Sequence, residues 1–298
     1  MSRSNGSADS PGPDGAVRHV MSFDVEEYFQ AEAARVDISR WPDHASRVDD
    51  AVDRILARLD EAGVRATFFI LGWLADRRRD MVRRVADAGH EIGSHGMTHA
   101  MLGRLTPEQA RCELADSRRL LQDIAAQPVE GYRAPTFSMT TETAWAIDVL
   151  LECGYRYDSS VFPIHHDRYG VPRAPRGPHM AVGPAGKGIV ELPPLTVRLA
   201  GTNLPLGGGG YLRLLPVRLV AAAIRAAERK GRPAMIYLHP WELDPGQPRL
   251  PMPRLTRWRH TVSLRKTESK LAWLLRRFRF GPAAEVAARI DSRSLERF

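Results

Sequence analysis

The chain has 298 residues, 43% of them apolar and 26% charged, which is the usage of a globular protein and excludes a disordered or fibrous one. No apolar run approaches the roughly 18 residues that a membrane-spanning helix needs. Lys plus Arg number 43 against 35 Asp plus Glu, a net charge of +8, a balance that suits nucleic acid, an anionic membrane face or a phosphorylated substrate.

The first fifteen residues, rich in Ser, Gly, Pro and Asp and without the apolar core of a signal peptide, predict a disordered lead-in and a cytoplasmic protein. Order is expected to begin near Val17, with Val17–Asp24 as a short buried strand that runs into carboxylates. Val48, Ala51, Val52, Ile55, Leu56 and Leu59 recur at spacings of three and four, one face of a helix that Gly63 stops. Val64–Ile70 is β-branched and aromatic and predicts a second strand. A helix over Arg79–Ala88 and a short strand over His90–His95 follow. Thr106-Pro107-Glu108-Gln109 has the form of a capping box with proline at the first helical position. Gly131–Pro135 reads as a strand end and Thr141–Glu152 as a helix. Residues 159–216, rich in Gly and Pro, predict long loops and short strands. Pro216–Arg229 reads as a helix, Ala234–Leu238 as a buried strand and Leu264–Phe278 as an amphipathic helix with Leu271, Leu274, Leu275 and Phe278 on one face. Strands alternating with helices mean βα units on a parallel sheet. The expected division is a lead-in over 1–15, one α/β domain over 16–245, and an extension over 246–298 whose helix packs on the barrel or docks on an anionic membrane.

The basic residues are spread over several helical stretches with no nucleic-acid motif beside them, so solvated helix faces are the plainer reading and no nucleic-acid partner is expected. Cys112 and Cys153 are too few for a disulfide framework or a zinc knuckle and are expected to pack as small buried groups. Gly207–Gly210 lacks the Lys-Ser/Thr of a phosphate loop and the helix of a dinucleotide fold, which excludes nucleotide binding on that ground. Trp41, Trp73 and Trp241 are core residues or sugar-stacking platforms.

The polar residues that need explaining fall at the C-terminal ends of the predicted strands, where parallel α/β architectures carry their active sites. Asp24-Val25-Glu26 follows the first strand and His95-Gly96-Met97-Thr98-His99 the third. Two histidines four apart, joined by a tight turn, can face one ion, and one carboxylate completes a set of three. Such a set leaves positions open for water and substrate, as in catalytic metal sites. Zinc is the default ion, with cobalt, nickel or iron as alternatives. Taken singly, either histidine is equally a satisfied partner of a nearby carboxylate.

The order F-D-V-E-E, T-F-F, G-H-E-I-G-S-H-G-M-T-H, G-Y-R-A-P, Y-D-S-S and L-H-P, from about Val17 to Trp241, resembles the NodB-type polysaccharide deacetylases, carbohydrate esterase family four. The segments Gly208–Arg213 and Arg259–Phe280 resemble a subgroup linked to exosortase and exopolysaccharide gene clusters. The resemblance implies an incomplete or distorted (β/α) barrel and metal-dependent removal of acetyl groups from N-acetylated sugars. It makes His95 and His99 metal ligands, Asp24 the catalytic base, Arg133 the arginine that holds it, His239 the general acid and Asp158 the carboxylate that orients this acid. Tyr132 or a backbone N–H would donate to the oxyanion, and Pro135 and Trp241 would line the substrate groove.

The sequence departs from the familiar pattern at Val25, where a second aspartate would coordinate. Glu26 or Asp24 must then serve, and relatives with D-x-D or D-x-E spacing point to Glu26. Glu27 in a strand-like stretch points to the opposite side. Three functions are in view: an N-deacetylase on an acetamido sugar of an exopolysaccharide or its precursor, an amidohydrolase on a small cyclic imide or ureide, and a glycan-binding protein without catalysis. An open aromatic trench favours glycan, a closed pocket favours a small molecule, and a broken metal set favours binding alone.

Overall fold

The computed structural model describes residues 17–166 and 168–298, so the expectation for residues 1–15 lies outside it. Strand β1, His19–Val25, is buried at every position. Helix α1, Val48–Ala62, buries Val48, Ala51, Val52, Ile55 and Leu59 and ends at Gly63, φ 61, a left-handed position that glycine takes without steric cost. Next come β2, Thr67–Ile70, α2, Gly72–Arg77, α3, Arg79–Asp87 and β3, Glu91–Ser94. Helix α4, Pro107–Ala125, opens on a reciprocal capping box between Thr106 and Gln109. Strand β4, Gly131–Tyr132, α5, Trp145–Glu152 and β5, Tyr157–Asp158 continue the alternation.

The Gly- and Pro-rich stretch has the short strands that its composition predicts and one short helix that it does not. It holds β6, His179–Val182, β7, Gly188–Glu191, β8, Thr196–Leu199, β9, Thr202–Pro205 and α6, Gly209–Leu214. The chain then runs through α7, Val217–Glu228, β10, Met235–Leu238, α8, Arg254–Thr261, α9, Leu264–Leu275, β11, Phe280–Gly281 and α10, Ala283–Ala288.

The main sheet has the order β10-β1-β2-β3-β4-β5-β7-β6, with β11 added beside β1. All its pairings are parallel except β6 with β7. Beyond β7 the chain reaches the outer edge of β10, where Leu195 N–H donates to Met235 O at 3.0 Å and Tyr237 N–H to Gly207 O at 2.8 Å. The result is an α/β fold with a curled half-barrel sheet. At Gly208 a Cβ would lie 1.7 Å from the carbonyl oxygen of Tyr237, so glycine is required where this segment crosses β10.

Phe69 of β2 and Tyr157 of β5 come from strands that are not neighbours, yet their rings meet at 6.4 Å, a contact that spans the inside of the curl. Val20, Leu192 and Met235 join them, and Ala283 and Val286 of α10 close this inner cluster. The larger apolar cluster packs helices on the sheet's outer face. Helix α9 contributes Leu264, Leu271, Leu274 and Leu275, each worth about 1.5–3 kcal/mol when fully buried, and Phe278 beyond its end is also buried. Residues after 245 are therefore woven into the main body: β11 joins the sheet, and Phe298 exchanges hydrogen bonds with Met180 and Val182 of β6. Among the described residues no helix is long and apolar enough to cross a membrane.

Cys112 is exposed and Cys153 half-buried, which corrects the expectation that both are buried: Cys112 lies on the outer side of α4. Trp41 is core, its Nε1 donating to Val36 O at 3.1 Å, and Trp73 packs edge-on against it at 5.2 Å.

Candidate active site and metal centre

The parallel register aligns Asp24 with Phe69, Ile70 with Ser94, Ser94 with Tyr132, and Tyr132 with Asp158. The residues that follow these strand ends therefore share one rim. They open into a cavity of about 730 Å³ lined by Asp24, Glu26, His95, His99, His239 and Trp241.

The His95–His99 turn is tight because two of its residues have left-handed backbone, Gly96 at φ 78 and His99 at φ 60. For a histidine that conformation costs roughly 1–2 kcal/mol, and such strain concentrates at functional sites. The turn is held from two sides. Gly72 and Trp73, at the start of α2, donate their N–H groups to Gly96 O and Met97 O at 2.9 and 2.8 Å. Glu113 of α4 accepts from Met97 N, Thr98 N and Thr98 Oγ1 at 3.0, 2.9 and 2.7 Å. The two imidazoles end 5.2 Å apart between centroids.

Glu26, His95 and His99 each offer a ligand atom within 4.8 Å of the others. His95 Nδ1 donates to the carbonyl of Arg133 at 2.8 Å, which leaves the Nε2 lone pair for an ion, the usual outer support of a metal-bound histidine. Burial lowers His95 to about 4 and keeps it neutral. Glu26 Oε2 lies 2.6 Å from His99 Nε2 without hydrogen-bond alignment and has no donor of its own. An orphaned buried carboxylate oxygen facing two imidazoles is a donor set for a divalent cation, and the residues fit one. Burial opposes the charge on Glu26, but the imidazoles around it, His99 first and then His239 and His95, hold this carboxyl well below the usual range. Glu27 points away, where its carboxylate accepts from Arg47 N at 3.1 Å and Val48 N at 3.3 Å and so caps α1.

Asp24 Oδ1 accepts from Arg133 Nη1 at 2.6 Å. Arg133 is 0% exposed and is held by Ser22 Oγ, Ser159 O and Ser159 Oγ at 2.9, 3.0 and 2.7 Å, with its guanidinium 4.3 Å above the ring of Phe69. The second oxygen of Asp24 lies 3.9 Å from His239 Nε2, and Glu26 Oε1 lies 3.7 Å from the same nitrogen.

The carboxylate on the other nitrogen of His239 is Glu242, not Asp158. His239 Nδ1 donates to Glu242 Oε2 at 2.9 Å, and the same oxygen accepts His239 N–H at 2.9 Å. Asp158 is turned into the barrel, bonded to Ser160 and aligned with Glu191, and burial raises both carboxyls. Burial works against charge on His239, but the hydrogen bond to Glu242 and the charges of Glu26, Glu242 and Asp24 outweigh it and raise the imidazole to about 9. Glu242 Oε1 in turn accepts from Arg213 Nε at 2.6 Å; burial opposes its charge, but Arg213 and His239 lower Glu242 to about 2. The remaining N–H groups of Arg213 bind the carbonyls of Arg259, His260 and Val262 at 2.9–3.0 Å, so one guanidinium fixes both the histidine's partner and the end of α8.

Two expected substrate contacts are placed differently. The side chain of Tyr132 is buried against Tyr155, 5.7 Å between ring centroids, and does not line the cavity; Tyr132 is itself the last paired residue of β4, and its ring belongs to the larger apolar cluster. Pro135 is buried beneath the His95 turn, while Thr136 and Phe137 after it line the cavity. Trp241 does line it, yet its ring stacks with His239 at 5.1 Å and His260 at 4.3 Å, and its Nε1 donates to Glu26 Oε1 at 3.1 Å. The exposed aromatics at the cavity's rim are Tyr211, 42% exposed, and Trp258, 52% exposed. Glu242, Arg213 and Glu113 are the positioning residues that reading the sequence missed. Glu242 had a signal: His239-Pro240-Trp241-Glu242 has the cap-Pro-x-Glu/Gln form of Thr106–Gln109, and its side-chain oxygen accepts the N–H of the cap residue as that of Gln109 does.

Comparison with known proteins agrees with this architecture. Residues 42–157 match the polysaccharide deacetylase family, and residues 159–288 match a domain of unknown function, DUF3473. A peptidoglycan deacetylase of Helicobacter pylori is 29% identical over 116 residues, 39% of this chain and 38% of that protein. A chitooligosaccharide deacetylase of Bradyrhizobium is 28% identical over 96 residues, 32% of this chain and 42% of that protein. The chain thus spans well under half the length of these curated relatives. A crystal structure from Mycobacterium smegmatis, provisionally named a polysaccharide deacetylase, superposes with a TM-score of 0.63 at 19% identity over 98% of this chain and 96% of that one, which shows a shared fold. With its strand-end site, its half-barrel and its match over residues 42–157, the chain carries a polysaccharide deacetylase domain of the NodB type, carbohydrate esterase family four.

Proposed function

We propose that the protein is a metal-dependent N-deacetylase that hydrolyses the acetamide of an N-acetylated sugar in a polysaccharide or its precursor. The observation that carries this reading is the convergence of Glu26, His95 and His99 with Asp24 and His239 on one cavity. A divalent cation held by Glu26, His95 and His99, zinc by donor type, would polarise the acetamide carbonyl and make bound water more acidic. Asp24 keeps one oxygen on Arg133 and presents the other to the cavity as proton acceptor. His239 enters protonated, because Glu242 holds Nδ1–H and the surrounding carboxylates stabilise the imidazolium. Its Nε2–H is the proton for the departing amine. The cavity is broad, and its rim aromatics Tyr211 and Trp258 suit sugar faces, which favours a glycan over a cyclic imide or ureide. The intact donor triad disfavours binding without catalysis. A role in exopolysaccharide synthesis rests on the resemblance of the segments around Arg213 and α8–α9. The test is metal analysis of the purified protein together with acetate release from N-acetylated oligosaccharides. One equivalent of metal and acetate release lost on chelation is the expected result; metal-free protein that still releases acetate would overturn it.

A further inference from the structure

Helix α8 separates two cavities. His260 and Arg259 face the reaction cavity, Trp258 lines both, and Arg254 and Arg257 line a second cavity of about 730 Å³. Arg249 from the preceding loop and Arg265 and Lys266 from the first turn of α9 complete its basic wall, and no acidic residue lines it. None of these five cations forms an ion pair among the described residues. Several other surface arginines have acidic partners, such as Arg40 with Asp43, Arg58 with Glu61 and Glu268, and Arg84 with Asp49 and Asp53; what sets these five apart is that they line one cavity together. The placement is unfavourable for the chain alone. No side chain caps α9, and the N-terminal end of a helix already carries partial positive charge to which Arg265 and Lys266 add. Five unneutralised cations around one cavity repel one another unless an oxyanion sits among them, and guanidinium forks match phosphate oxygens in pairs.

We propose that this cavity is a subsite for a phosphate or diphosphate group carried by the glycan substrate, about one helix diameter (~10 Å) from the reaction cavity. The charge argues for phosphate over a single carboxylate, since five cations exceed what one negative charge balances. The shared wall argues for the glycan as carrier: Trp258 gives a continuous aromatic surface from one cavity to the other. The identity of the carrier rests on the deacetylase reading, whereas the anion chemistry of the cavity does not.

Two exposed residues outside the reaction cavity, Arg254 and Arg265, are replaced together by alanine. Calorimetric titration with inorganic pyrophosphate at physiological salt is expected to show binding by the parent protein and at least tenfold weaker binding by Arg254→Ala/Arg265→Ala. No binding by the parent, or equal affinity of both proteins, overturns the site. An N-acetylglucosamine oligosaccharide with a terminal diphosphate is then compared with its neutral counterpart. The phosphorylated glycan is expected to have a KM at least tenfold lower with the parent, with the gap closed in the double variant and kcat unchanged. Equal KM values with the parent overturn the glycan as carrier, as does capture of the parent but not the variant by phosphatidylglycerol vesicles, which would assign the cations to a membrane. If neither glycan releases acetate the deacetylase reading fails, and the pyrophosphate titration still decides the anion site.

Discussion

Glu242 holds His239 with a single oxygen, Oε2, which lies 2.9 Å from both the ring Nδ1 and the backbone nitrogen of that histidine. Backbone and side chain of His239 are thus locked by one carboxylate, whose other oxygen is tied to Arg213 at 2.6 Å. Replacing this charge removes the largest influence that raises His239. In Glu242→Gln the alkaline limb of the pH–rate profile, set near 9 by His239, is expected to move down by a unit or more. The kcat is expected to fall by 10²-fold or more while metal content stays at the parent level. Leaving Arg213 buried without its partner should also cost about 3–5 kcal/mol of stability, read by denaturant unfolding. An alkaline limb unchanged in the variant would show that another group sets it.

Glu26 and Glu27 are adjacent and do unrelated work, which makes a paired comparison informative. Glu26→Ala is expected to lose bound metal with little change in thermal midpoint of the metal-free protein. Glu27→Ala is expected to retain metal and lose stability by about 1 kcal/mol or more, since it removes the acceptor for the first N–H groups of α1. Metal analysis and calorimetry on both variants check this, and metal loss of equal extent in the two would place the ligand elsewhere.

Glu113 touches neither imidazole but fixes the turn between them through three hydrogen bonds. Glu113→Ala frees a segment in which His99 is strained at φ 60, so the turn is expected to relax and the ligands to lose their common focus. Metal affinity should fall about 10- to 100-fold, the range for outer supports of metal ligands. A competition titration with a chelating indicator measures it; unchanged affinity would mean that the α2 contacts suffice.

His90 is buried, and its Nδ1 accepts the N–H of Ala66 at 3.3 Å; burial first, and the charge of Arg65 second, lower it to about 4. The unfolded chain takes up this proton near 6.5 and the folded one only near 4. Stability from this residue is therefore complete above 6.5 and is lost as pH falls toward 4, by up to ~3 kcal/mol. His90→Gln removes that titration. The stability difference between the parent and His90→Gln, followed by denaturant unfolding from pH 7 to 4.5, should shrink or reverse as pH falls, other titrations cancelling in the difference. A difference constant with pH would show that His90 takes up its proton as readily in the folded as in the unfolded chain.

The alternation of strands and helices up to Glu152 was legible because each helix carries an apolar stripe and a stop signal of its own, such as Gly63. The site was legible to the extent that strand ends share a rim: Asp24 lies at the end of β1, and His95, Arg133 and His239 each follow a strand. What the sequence hid has physical causes. Helix α8 buries only His260, so it has no apolar periodicity and is held instead through its last carbonyls by Arg213. The β8–β9 hairpin turns on Ala200 and Gly201 at φ 47 and 81, and alanine in that left-handed position does not announce a two-residue turn as asparagine would. Asp158 was misassigned because its motif position says nothing of side-chain direction, and a strand-end residue can face the barrel interior.

Strand β1 has consequences for how the molecule is made. It pairs with β2 on one edge, with β10 on the other, and at its base with β11, residues Phe280–Gly281. During synthesis the segment bearing Asp24 and Glu26 leaves the ribosome about two hundred residues before its flanking strand β10 and its basal partner β11. Closing such distant pairs is slow, because the loop entropy is spent before the contact forms. The two carboxylates therefore wait, apolar strand attached, while some two hundred residues are added. A cation site at Glu26, His95 and His99 would be complete once β1–β3, α4 and Arg133 are made, whereas proton donation by His239 would also need β10, so a nascent chain would acquire its ion site before its acid. Partly made chains would then hold metal without turning over substrate, and metal loading and activity would mark two separate moments in the protein's maturation.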